Sequence, residues 1–156
     1  MSLPGRITEH FGWNEAVFTT QRDPRTGLLF DNTPGPETEE GARLVHTFER
    51  MEDVRTYFGR PIIVHSAYRS PAVNAAVGGS ATSQHMRGEA VDFHVLNIDV
   101  PNVFQALRTS SIPYDQLIEE AGTWVHISFV RGSPRRQALR MAIKNGKAAY
   151  EEVPRL

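Results

Sequence analysis

The sequence predicts an α+β domain in which a small antiparallel sheet packs against helices. Two observations carry this reading. Short strand-like runs are mixed with separated helical segments and show no regular βαβ alternation. Two of those runs, "YDQLIEE" and "TWVHISFV", are close enough to form a hairpin around Ala121 and Gly122. With 156 residues and 40% hydrophobic side chains, the chain is long enough for one domain with a real core, spanning 1–156, and too short for two comfortable ones.

The elements follow in order. "QRDPRTGLLFDNTPGPE", Gln21 to Glu37, is broken by proline and glycine and reads as irregular. Leu44, Phe48, Met51 and Phe58 recur near helical spacing, and Gly59 followed by Pro61 supplies the stop, so an amphipathic helix is expected there. "PIIVHS" reads as a buried strand. "SPAVNAAVGG" reads as a short helix opened by Ser70 and Pro71 and closed by Gly78 and Gly79. "EAVDFHV" is a second strand, and Val100, Val103, Phe104 and Leu107 mark another helix before the hairpin. A last helix is expected from about Ser133 and Pro134 to just before Gly146, with Arg135, Arg136 and Arg140 on its solvated face.

Composition narrows the function classes. With 17 basic against 18 acidic side chains there is no broad positive field to hold a nucleic-acid backbone or an anionic membrane. The chain has no cysteine, so disulfides, thiolate ligands and a cysteine nucleophile are excluded, and any metal must sit on nitrogen and oxygen. No apolar stretch approaches the roughly 20 residues of a membrane span. The start, "MSLPGRITEHFGW", has no secretory leader, and "MSL" is compatible with a trimmed natural leader. A soluble monomer is the expectation.

The chemistry concentrates in "SQHMRGEAVDFH", Ser83 to His94. Catalytic zinc sites use three protein ligands and leave a fourth position for water, and imidazole plus carboxylate is a common set. His85 precedes the second strand and Asp92 lies in it, with Gly88 letting the backbone turn between them. Ala90 shares the strand face of Asp92 and leaves space beside the carboxylate. His126 is the best third ligand, because Val125, Ile127 and Phe129 in the same strand alternate with it as core residues. His94, on the Asp92 face, is a candidate ligand, substrate contact or partner to a ligand, although the trio is complete without it. His65 reads as a packed strand residue, and His10 and His46 carry no motif.

These residues resemble the zinc D-Ala-D-Ala carboxypeptidases and related phage endolysin endopeptidases, whose pattern is S-x-H-x-x-G-x-A-x-D followed by a W-x-H strand. The first motif is Ser83, His85, Gly88, Ala90 and Asp92, and the second is Trp124 and His126. "SAYRSPAVNAAVGG", with Tyr68, Arg69, Ser70 and Asn74, matches the segment just upstream. The resemblance covers roughly 61–130. It implies the hedgehog/DD-peptidase type of α+β fold, one zinc ion on His85, Asp92 and His126, and a peptidoglycan stem peptide as substrate at the bacterial cell wall. It also makes Arg69 the candidate cation for the oxyanion, and Ser83, Tyr68 and Trp124 candidate substrate contacts.

The sequence departs from the better-known members at the base. They place an acid three residues before the last histidine, and Thr123 stands there, leaving Glu119 and Glu120 as candidates. The hairpin register separates the two. A three-residue loop of Ala121, Gly122 and Thr123 sets Glu120 opposite Trp124 and Ile118 opposite His126, on one face. A two-residue Ala-Gly loop would hand the role to Glu119, but it asks Ala121 for positive φ or a turn of the wrong twist. Two function classes result: a zinc peptidase in which an activated water attacks the peptide, acting as carboxypeptidase or endopeptidase, or a non-catalytic metal-containing cell-wall-binding or phage structural module.

Overall fold

The computed structural model describes residues 5–35 and 37–154, so the initial Met-Ser-Leu lies outside the described residues. The elements run α1 (Trp13–Ala16), α2 (Glu39–Phe58), β1 (Ile62–Ser66), α3 (Pro71–Ala76), a 3-10 turn (Gln84–Arg87), β2 (Ala90–Val95), α4 (Val100–Thr109), β3 (Gln116–Glu120), β4 (Trp124–Ser128), β5 (Gln137–Lys144) and β6 (Lys147–Glu152). Residues 21–37 are irregular where described, apart from a bridge between Arg22 and Leu29. Short α1 had no counterpart in the sequence reading.

Helix α2 starts because the Thr38 hydroxyl accepts from the Gly41 N–H at 3.1 Å. It ends because Gly59 takes the left-handed conformation, at φ 62°. Between these caps Leu44, Phe48, Met51 and Val54 are fully buried, each three or four residues from the next. Val103, Phe104 and Leu107 bury the matching stripe of α4.

The six strands form one sheet in the order β1-β2-β4-β3-β5-β6. Every pair is antiparallel except β3 with β5. Odd-numbered residues of β2 and β4, Val91, Phe93, Val95, Val125 and Ile127, are buried in the core with Leu117 and the α2 and α4 stripes. The even-numbered residues lie on the other face, which carries Asp92, His126, Ile118 and Glu120.

The last helix expected near Ser133 is instead the β5–β6 hairpin. Its turn is Asn145-Gly146, with φ 53° and 74°, and Lys144 pairs with Lys147 across it. Two consecutive left-handed residues between paired strands match the twist of a hairpin, and Asn-Gly is the pair that adopts them most readily. The arginines expected on a solvated helix face have structural partners. Arg135 binds Asp115 through its backbone N–H at 2.9 Å and its guanidinium at 2.7 Å. Arg136 donates to the carbonyls of Ile112 and Ser110 at 2.7 and 3.0 Å, and Arg140 pairs with Glu119 at 2.9 Å. These contacts hold the chain leaving β4 so that β5 runs parallel to β3.

Candidate metal centre and active site

Glycine 88 sets the position of His85. It ends the 3-10 turn at φ 79°, and a Cβ there would lie 2.5 Å from the Glu40 carbonyl oxygen, so only glycine lets the turn press on α2. Thr47 Oγ1 donates to the Gly88 carbonyl at 2.7 Å and Arg43 Nε to the Arg87 carbonyl at 2.7 Å, clamping the turn to that helix. At its other end Ser83 Oγ accepts from the His85 N–H at 3.2 Å. The His85 ring is fixed as well: Nδ1 lies 2.7 Å from the Ala67 carbonyl oxygen. A carbonyl only accepts, so Nδ1 carries the proton and, in the neutral ring, Nε2 keeps its lone pair.

Asp92 and His126 are direct partners in the β2–β4 ladder. His126 Nδ1 lies 3.0 Å from Asp92 Oδ1, and His85 Nε2 lies 3.3 Å from Asp92 Oδ2. All three residues are buried, and one ligand atom from each falls within 4.8 Å of the others. Burial by itself would raise the Asp92 carboxyl, but the two imidazoles beside it hold it well below the usual carboxylate range. The Nε2 atoms of both histidines are buried without a hydrogen-bond partner. Buried imidazole nitrogens are ordinarily satisfied, so two of them on rings that flank one carboxylate suit a metal ion that prefers nitrogen and oxygen donors.

Glu120 occupies the expected register. Ala121, Gly122 and Thr123 form the loop, Glu120 faces Trp124, and Ile118 faces His126. Ala121 nonetheless has φ 51°, so the strain that argued against a two-residue loop is present in the three-residue one. Half-buried Glu120 lines the same cleft as the trio. Its carboxyl is pushed up by burial and by the Asp92 charge, against the pull of His126 and Arg69. Glu119 is on the opposite face, paired with Arg140. The Thr123 hydroxyl donates to the Glu120 carbonyl at 2.6 Å.

Arg69 reaches the trio from the loop after β1. Its Nη2 is 3.5 Å from Asp92 Oδ2, and Asn74 Oδ1 accepts from Nη1 at 3.2 Å. Ser83 and Trp124 line the cleft; Tyr68 does not, and its side chain is packed in the core at 7% exposure. His94 is hydrogen-bonded to His65 at 2.7 Å, and the His65 ring packs on Trp124 with centroids 5.5 Å apart. The cleft holds about 610 Å³ and is also lined by Gln116, Arg135, Leu139 and Tyr150, which the sequence reading missed. Arg135 and Leu139 belong to the segment expected as a helix and Tyr150 follows it, and the Asn-Gly turn is the signal that places Leu139 and Tyr150 on a hairpin of the sheet.

Two histidines and an aspartate buried beside a half-buried carboxylate, at the floor of an open cleft, make up a site of the metallohydrolase class. The chain belongs to the Peptidase M15 family, whose profile matches residues 10–128. Members of that family are zinc-dependent metallopeptidases. No curated protein matches the chain. Among the described residues, no helix is long and apolar enough to cross a membrane.

Proposed function

We propose that this chain is a zinc peptidase that hydrolyses peptidoglycan stem peptides at the bacterial cell wall. The observation that carries the reading is the buried trio of His85, Asp92 and His126, whose two rings flank the carboxylate and each keep an Nε2 without a hydrogen bond, in the cleft that Glu120 lines. His85, Asp92 and His126 would hold one zinc ion, which supplies a water of lowered pKa and polarises the scissile carbonyl.

The remaining steps belong to the side chains. Glu120 takes the proton of the attacking water on its carboxylate and returns it to the leaving amine. The Arg69 guanidinium, fixed by Asn74 and close to Asp92, donates to the oxyanion that develops on the scissile carbonyl. Ser83 holds the His85 loop through the His85 N–H, and Trp124 offers an aromatic wall to the peptide.

Purified protein loaded with zinc and incubated with purified peptidoglycan is expected to release new free amines, read by mass spectrometry. Zinc retained with no new amine would identify a non-catalytic cell-wall module instead.

A further inference from the structure

The C-terminal hairpin lies beyond residue 128, where the family match ends, yet it walls the cleft. The parallel register sets Leu139 beside Ile118 and Met141 beside Glu120. On the far side of β5, Met141 pairs with Tyr150. Directly paired residues share a face, so Glu120, Met141 and Tyr150 form one row across three strands. That row lies on the face carrying Asp92 and His126. The opposite face of β5 serves the fold: Ala138 is buried there, and the Arg140 guanidinium lies 5.5 Å from the centre of the Phe104 ring.

Tyr150 lines the cleft while remaining 57% exposed. Among the described residues its side chain has no hydrogen bond and no ring partner, so the fold makes no evident use of it. Its hydroxyl is pushed up by burial and by the charges of Glu120 and Asp92, as its place in the cleft requires. A tyrosine ring can cover the apolar part of a peptide while its hydroxyl stays wet. Neighbouring strands are about 4.8 Å apart, so Tyr150 stands two steps, roughly 10 Å, beyond Glu120. An extended peptide covers that length in about three residues.

We propose that Tyr150 is a substrate-binding residue that contacts the peptide about three residues from the bond cut, which makes the β5–β6 hairpin the wall that selects extended peptides over short ones. The inference rests on the peptidase reading above.

The test uses zinc-loaded full-length protein and synthetic peptides carrying the bond that is cut in peptidoglycan. One peptide has a single residue on each side of that bond; two others add three residues on the amino or the carboxyl side. The wild type is expected to cleave one of the extended peptides roughly tenfold better in kcat/KM than the short one, the scale of a lost aromatic contact. Tyr150→Ala is expected to bring that ratio near one, with zinc content and melting temperature retained, and Tyr150→Phe to preserve it. No length preference in the wild type, or the same preference in Tyr150→Ala, overturns the proposal while leaving the peptidase reading intact. A wild type that cuts peptidoglycan but none of the peptides also overturns the proposal and leaves the peptidase reading intact, whereas one that cuts neither removes that reading and this inference with it.

Discussion

Asp92 and His126 stand directly opposite each other on β2 and β4, with the aspartate oxygen 3.0 Å from the imidazole nitrogen. Strand pairing therefore sets two members of the trio, and only His85 depends on a separate turn. This division determines which substitutions should empty the site and which should silence it.

Metal content is the first consequence. Dialysed wild type should retain near-stoichiometric zinc by elemental analysis, and His85→Ala and His126→Ala should each lose most of it. Zinc unchanged in either variant would remove that residue from the site.

Gly88→Ala should damage the same site from outside it. The added methyl would meet the Glu40 carbonyl oxygen at 2.5 Å in a left-handed backbone conformation. We expect a loss of at least about 2 kcal/mol in stability by denaturant titration, together with weakened zinc retention. A variant as stable as wild type would mean that the turn does not press on α2.

Arg69→Ala should lose hydrolysis by a factor on the order of hundreds per zinc-loaded molecule, the scale for removing an oxyanion donor. Steady-state kinetics normalised to bound zinc checks this. A large fall in melting temperature with activity per folded molecule preserved would make Arg69 a structural partner of Asp92 and Asn74 instead.

The two glutamates separate by face. Glu120→Gln should keep zinc and fold and lose nearly all hydrolysis, whereas Glu119→Gln should remove only the surface pair with Arg140 and have a mild effect. The reverse pattern would put the base on the other face of β3, and full activity in both would place it elsewhere.

Titration gives an independent check on Glu120. Burial and the Asp92 charge raise its carboxyl above the ordinary glutamate value, so in metal-free protein its side-chain carbon signal should move at a higher pH than that of a glutamate in an unstructured peptide. The protonated form cannot accept a proton, so its activity as a base is present above the midpoint that Glu120 has in the zinc-loaded protein and lost as pH falls through it. A Glu120 midpoint at or below the peptide value would contradict the burial argument.

The shared face of Asp92 and His126 and the hairpin register were legible because both follow from period-two alternation: Val125, Ile127 and Phe129 point one way, so His126 points the other, and the loop length then fixes Glu120. The C-terminal hairpin was not legible in the same way. "QALRMAIK" is made largely of good helix formers, and half of β5 is too exposed to show a clean alternation. Pairing with β3 on one side and β6 on the other decides the strand, and Asn145-Gly146 was its local sign. The role of Arg135 was hidden for a similar reason, because its partner Asp115 is 20 positions away in sequence. Tyr68 matched the expected motif, yet its ring went to the core.

The most direct measurement of the central claim is hydrolysis of purified peptidoglycan as zinc is titrated into metal-free protein. If the proposed function holds, release of new amines rises with zinc, levels off at one equivalent, and is nearly absent in Glu120→Gln at the same zinc content. Hydrolysis that is independent of zinc, or its absence in fully loaded wild type, would contradict it.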